Sequence, residues 1–114
     1  MRYMLLLHVE ESGWSRLSAT EQAAAMETYG AFNAALEKAG ALVVTGRLAA
    51  SAGAGTVRTK GGRPVTMDGP YAETKEQVGG FYLIEAADRA AALDWAARCP
   101  AAGHGVVEVR EVLG

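Results

Sequence analysis

Asp68-Gly69-Pro70-Tyr71-Ala72-Glu73-Thr74-Lys75-Glu76-Gln77-Val78-Gly79-Gly80-Phe81-Tyr82-Leu83-Ile84-Glu85 joins two segments of opposite character. The first half carries the ionisable side chains of Asp68, Tyr71, Glu73, Lys75 and Glu76. The second half opens with Gly79-Gly80 and runs on as an apolar strand from Gly80 to Ala86. Alternate residues of a strand point to opposite faces. Phe81 and Leu83 therefore share one face, Tyr82 and Ile84 the other, and both faces are apolar. A strand of this kind sits in the middle of a sheet and is covered on both sides. A polar loop that feeds such a strand mounts side chains on a rigid support.

Arg2 to Val9 has the same two-faced character, with Tyr3, Leu5, Leu7 and Val9 on one side and Met4, Leu6 and His8 on the other. Between these two strands, Glu10 to Leu17 reads as a loop carrying Trp14. Ser18-Ala19-Thr20-Glu21 matches a capping box. It opens a helix to about Ala39, stopped by Gly40, in which Met26, Tyr29, Asn33 and Leu36 recur at helical spacing beside Phe32. Leu42 to Leu48 reads as a strand and Ser51 to Gly55 as a small-residue loop. Lys60-Gly61-Gly62-Arg63 has the composition of a hairpin turn between Val57–Thr59 and Val65–Met67, and Pro64 places that hairpin at an edge. Tyr71 to Gln77 is a helical turn or a loop. Asp88 caps a second helix from Arg89 to Arg98, rich in alanine with Leu93 and Trp95, the latter expected to pack against the sheet, and Pro100 ends it. Ala101 to Gly105 is a loop holding His104, and Val106 to Val112 closes the chain as a strand with Val107 and Val109 opposite Glu108 and Arg110.

The order β-α-β-(hairpin)-β-α-β predicts one α+β domain over residues 1–114, a ferredoxin-like sandwich with both helices on one face of an antiparallel sheet. That fold places its first and third main strands in the centre, where the two-faced strands are wanted. The helices cover one face. A second copy set against the other face accounts for its apolar character, so a homodimer is expected.

The balance of 11 basic and 13 acidic residues, with no basic cluster, argues against a nucleic-acid partner. No apolar run reaches the roughly 18 residues of a membrane span, and Met1 to Val9 is too short for a signal peptide, so a cytoplasmic location is expected. Cys99 stands alone, which excludes an intrachain disulfide and a multi-cysteine metal cage.

The run from Asp68 to Tyr82 resembles the signature of DGPF-domain proteins, a branch of the YCII-related family, with Tyr71 in place of the usual Phe. Gly46-Arg47-Leu48, Trp95 to Ala102 and Val107-Glu108-Val109-Arg110 also look like this family. The resemblance covers nearly the whole chain. It implies a dimeric α+β barrel of ferredoxin-like subunits. No cofactor is expected. Some relatives resemble gene neighbours of extracytoplasmic-function sigma factors, which implies a regulatory role and a regulatory protein partner. Better-known YCII proteins have a proposed His–Asp pair with the His on the first helix. Here no histidine lies between Ser18 and Gly40.

Asp68 is a candidate acid or base if a pocket desolvates it, or else the acceptor of an Asx-turn beside Gly69 and Pro70. His8, on a central strand, is the second acid–base candidate, or a histidine satisfied by one hydrogen bond at a strand end. Tyr71, Glu73, Thr74 and Lys75 are candidate ligand-binding groups, and Thr74 serves equally well to cap its own turn. Gly79-Gly80 admits either close ligand approach or a bulge. Cys99 reads as a small buried side chain, and no metal-ligand spacing occurs. Three functions fit: a small-ligand-binding dimer in a regulatory or accessory role, an acid–base enzyme using Asp68 and His8, or a structural or protein-interaction module. The first is preferred, because the acidic loop is rich in binding groups and no nucleophile–base pair is visible.

Overall fold

The computed structural model describes residues 1–114. Strands β1 (Arg2–Val9), β2 (Leu42–Arg47), β5 (Gln77–Glu85) and β6 (Val106–Val112) form one antiparallel sheet in the order β2-β5-β1-β6. This is the ferredoxin-like order, with β1 and β5 in the centre. Helix α2 (Ala19–Lys38) connects β1 to β2, and α3 (Arg89–Arg98) connects β5 to β6. Strands β3 (Gly55–Lys60) and β4 (Arg63–Asp68) make a separate two-stranded ribbon between β2 and β5.

Local chemistry starts and stops these elements where the sequence places the signals. Ser18 Oγ accepts from the Glu21 amide and the Glu21 carboxylate accepts from the Ser18 amide, so both halves of the capping box form. The hydrogen bond donated by the Ser18 amide holds the Glu21 carboxyl below its usual pKa. Asp88 caps α3 through the Ala91 amide. In the ribbon turn Gly61 and Gly62 have φ of +58° and +77°, the pair of left-handed residues that a two-residue hairpin loop demands.

Packing is one-sided. Tyr3, Leu5 and Leu7 of β1 and Tyr82 and Ile84 of β5 meet Phe32 and Leu36 of α2 and Ala92 and Ala96 of α3 in a core of 12 buried residues. Phe32 meets Tyr82 edge-on at 5.2 Å, and the Tyr82 hydroxyl donates to Asn33 Oδ1 at 2.5 Å. Met4, Leu6, Phe81 and Leu83 point to the other face, where no helix lies, and remain part-exposed. Gly46 leaves room for Phe81 there: a Cβ on Gly46 would lie 2.7 Å from the Phe81 ring.

The structure corrects the expected pattern at four places. Glu10 to Leu17 contains a short helix, α1 (Ser12–Arg16), which has no side-chain cap. It is held from outside, by Arg47 over the Trp14 ring at 5.2 Å and by Gln22 Nε2 donating to the Trp14 carbonyl. Met26 is 60% exposed, because α2 turns only its Phe32–Leu36 edge fully into the core. Leu93 is exposed, and Trp95 is only half-buried, edge-on to Phe32 at 6.2 Å and beneath Arg98 at 4.3 Å. Strand β5 starts at Gln77, earlier than its apolar run, because Gln77 and Val78 still pair with Val9 and His8. No helix is long and apolar enough to cross a membrane.

Two predictions follow from this core. Leu36 is fully enclosed, so Leu36→Ala should cost about 3–5 kcal/mol in urea denaturation, whereas Trp95→Ala should cost about 2 kcal/mol. A Trp95→Ala loss as large as that of Leu36→Ala would contradict this packing.

The second concerns alkaline pH. Burial, reinforced by Cys99 and Tyr82, pushes the Tyr29 hydroxyl up to about 12, and burial also raises Tyr82 and Cys99. A folded pKa above the unfolded value means that the fold favours the protonated form. That contribution to stability is complete below about pH 10 for tyrosine and is lost as pH rises further. Urea midpoints should therefore fall from about pH 10 to about pH 12, and Tyr29→Phe should flatten the fall. A Tyr29→Phe profile that falls as steeply as wild type would show that Tyr29 is not responsible.

Candidate functional site

β1 delivers His8 to the open face of the sheet through a local irregularity. Leu7 pairs with Gly80 and His8 with Val78, so Gly79 is the extra residue of a β-bulge. A Cβ on Gly79 would lie 2.7 Å from Val9 Cγ2. On the other side of β1, a Cβ on Gly105 would collide with the His8 carbonyl oxygen. Two glycines thus let β5 and the start of β6 close on the His8–Val9 end. The bulge accounts for the glycine pair at β5 without a ligand.

Across the strand, Glu108 of β6 lies opposite Leu6 on the same open face, and His8 Nε2 is 2.9 Å from Glu108 Oε1. His8 is part-buried and Glu108 more exposed. The single partner expected for His8 is therefore a carboxylate. Glu108 was not legible as a site residue. The signal was its place opposite Val107 and Val109 on the last strand, but pairing with His8 depends on register, which spacing alone does not give.

The loop 69–76 is held by its own chain. Gly69, at φ +102°, turns the chain out of β4 and donates to the Ala54 carbonyl at 2.7 Å. Thr74 Oγ1 donates to the Glu76 carbonyl at 2.5 Å, so Thr74 caps its own turn. Gln77 Nε2 reaches back to the Ala72 carbonyl at 2.8 Å and to Thr74. Tyr71 is 86% exposed. Asp68 is exposed at the end of β4 and its carboxylate accepts no hydrogen bond, so the Asx-turn does not form; Gly69 alone makes the bend. Glu73, Lys75 and Glu76 form no ion pairs with one another.

Two open clefts flank this loop. One, of about 450 Å³, is lined by Glu10, Glu11, Ser51, Glu73, Thr74 and Lys75 among others. Glu11 is committed within it, accepting from the Ser51 amide at 2.7 Å and the Ser51 hydroxyl at 2.9 Å, and Glu10 binds Arg16 at 3.1 Å. The other, of about 620 Å³, is lined by His8, Thr74, Lys75, Glu76, Val106 and Glu108. Thr74 and Lys75 form the wall between the two. The structure therefore brings His8, Glu73, Thr74 and Lys75 to adjoining clefts, whereas Asp68 and Tyr71 line neither. Asp68 and His8 do not converge. Chemically, Lys75 can hold an anionic group, Glu73 and Glu76 can accept hydrogen bonds, and the His8–Glu108 pair can carry a proton. No three histidine, cysteine or carboxylate side chains gather as metal ligands.

Comparison with known proteins places these residues in a wider group. The family profile described as the YCII-related domain matches residues 1–114. An uncharacterized protein of Rhizobium meliloti (strain 1021) is 41% identical over 96 residues, covering 84% of this chain and 77% of that protein.

The glycine contact gives a direct check on the His8 geometry. Gly105→Ala should cost about 1–3 kcal/mol and shift the His8 imidazole resonances, because backbone must move to admit the methyl group. Gly103→Ala, with open space around it, should do neither. Unshifted His8 resonances in Gly105→Ala would show that the strand end is not held as described.

Proposed function

The chain belongs to the YCII-related domain family, matched along its full length, and from that premise we propose that it is a homodimeric protein that binds a small polar ligand beside Thr74 and Lys75. The observation that carries this reading is the wall shared by the two clefts. Gln77 and Thr74 fix the loop by internal hydrogen bonds, and Lys75 is left without a carboxylate partner where both clefts meet. A preorganised loop presenting an uncommitted ammonium binds an anionic or hydrogen-bond-accepting group with little ordering cost. The surrounding carboxylates of Glu73, Glu76 and Glu108 favour a ligand that also carries hydrogen-bond donors.

The role is regulatory or accessory. Support comes from the DGPF-like signature at Asp68 to Tyr82, whose resemblance to neighbours of extracytoplasmic-function sigma factors points to a regulatory protein partner. The dimer is supported by the open sheet face: half of the residues are hydrophobic, yet only 12 are buried in the core. A domain this small gains from burying the remainder against another copy.

One observation favours a second reading, an acid–base enzyme acting on a small organic substrate. His8 Nε2 stands 2.9 Å from Glu108 Oε1, the spacing at which a carboxylate orients an imidazole for proton transfer. In that reading His8 is the acid–base group, Glu108 orients it, and Asp68, outside both clefts, takes no part.

The test is a thermal-shift screen of polar metabolites, followed by calorimetric titration of any hit. Lys75→Met should leave the melting temperature of the free protein nearly unchanged and weaken binding about tenfold or more, the loss of one charge-assisted contact. Asp68→Asn should bind as wild type. Undiminished affinity in Lys75→Met would remove the loop from the site. For the enzyme reading, His8→Ala should abolish turnover of the hit while binding persists; a hit that is never turned over by wild type leaves binding alone.

A further inference from the structure

The β3–β4 ribbon stands away from the rest of the molecule. The chain measures 49 × 41 × 18 Å, and its radius of gyration of 16.0 Å exceeds the about 13 Å of a compact chain this long. The register of the ribbon sorts its side chains. Val57 lies opposite Thr66 and Thr59 opposite Pro64 on one face. On the other, Lys60 lies opposite Arg63, Arg58 opposite Val65, and Thr56 opposite Met67. One face therefore carries Lys60 and Arg63 at its tip, Arg58 beside Val65 in its middle, and Met67 beside Thr56 at its base. None of the three cations has an ion-pair partner in its own chain, and Met67 is 68% exposed. Like charges opposite each other weaken a ribbon, and an isolated two-stranded hairpin is marginal in water. The arm therefore presents unpaired cations beside exposed apolar side chains, the complement of an acidic surface with apolar residues next to it.

The same chain carries such a surface. The open sheet face presents Met4, Leu6, Phe81 and Leu83, with Val44 and Val106 exposed at its margins. At its His8 end stand Glu108 and Glu76, and Glu73, three residues before Glu76 on the same loop, lines the adjoining cleft. Arg110 and the Arg2–Glu85 pair lie toward the opposite end.

We propose that in the homodimer each β3–β4 arm lies over its partner's open sheet face, so that one copy's basic arm tip completes the other copy's His8–Lys75 clefts. Val65 and Met67 rest on the apolar sheet residues, and Arg58 and Arg63 reach the carboxylates of Glu73 and Glu76. This rests on the homodimer reading above and extends it: the ligand site is composite, with cations supplied by the second copy. A second copy is the occupant because one sequence supplies both halves of the match, cationic arm and acidic, apolar face.

A charge swap tests it. One variant carries Arg58→Glu and Arg63→Glu, the other Glu73→Lys and Glu76→Lys. All four positions lie on the ribbon or loop outside the core, and circular dichroism confirms that both variants fold. In sedimentation equilibrium each variant alone should dimerise at least about tenfold more weakly than wild type. Mixed, they should form a heterodimer of near wild-type affinity, because both arm-to-face contacts are then again between opposite charges. An arm variant that dimerises as tightly as wild type, or a mixture without rescue, overturns the proposal while leaving the homodimer intact. A wild type that is monomeric removes the homodimer and the arm contact together. Duplex DNA bound by wild type at physiological salt and lost in the arm variant, with dimerisation unchanged, would assign the arm to nucleic acid instead.

Discussion

Leu5 faces Tyr82 and Tyr3 faces Ile84 across the central strand pair, all on the helix-covered side of the sheet. Almost everything else depends on that register. A slip of one residue in either strand would turn that strand's open-face pair, Met4 and Leu6 or Phe81 and Leu83, into the core and expose its residues that pack on Phe32 and Leu36. The pairing holds until the bulge at Gly79, beyond which β5 continues one residue out of phase. The strand end beyond that irregularity is where His8 meets Glu108 and where the loop 69–76 returns to the sheet. The core thus fixes the geometry of the clefts through backbone pairing, without contributing side chains to them.

The one-sided core has a second consequence. Two thin layers, a sheet and a pair of helices, leave a face on which side chains are apolar yet half-exposed. Chemistry concentrates at one end of that face, where a histidine–carboxylate pair, an uncommitted lysine and further carboxylates adjoin. A binding site at the margin of an apolar interface gains from whatever closes the interface, because desolvation strengthens each charged contact within it. Ligand binding and association of two copies are therefore coupled in this account.

Much of the architecture was legible because it rests on local rules. The two-faced strands 2–9 and 80–86, the capping box at Ser18, the Asp88 cap and the Gly61-Gly62 turn each declare themselves within a few residues. α1 was not legible, since its support comes from outside the helix, from Gln22 on α2 and from Arg47 on β2. Trp95 was misjudged because an aromatic at helical spacing can lie at the edge of the core as readily as in it, here beneath Arg98. At the candidate site, the loop around Glu73, Thr74 and Lys75 stands out in the sequence by its density of polar groups, and the fold brings these three to the clefts. Its neighbour Asp68 belongs to the same dense stretch but lies beyond the Gly69 bend, outside both clefts. His8 was found from its odd place on an apolar strand. Its partner Glu108 was missed, because cross-strand partners follow from three-dimensional register.

The account turns on the open sheet face being an interface between copies of this chain, with the clefts at its margin. The molar mass in solution at micromolar concentration, by light scattering or sedimentation equilibrium, tests this most directly. The account predicts twice the mass of the chain. A mass equal to one chain, unchanged as concentration rises through the micromolar range, would contradict it.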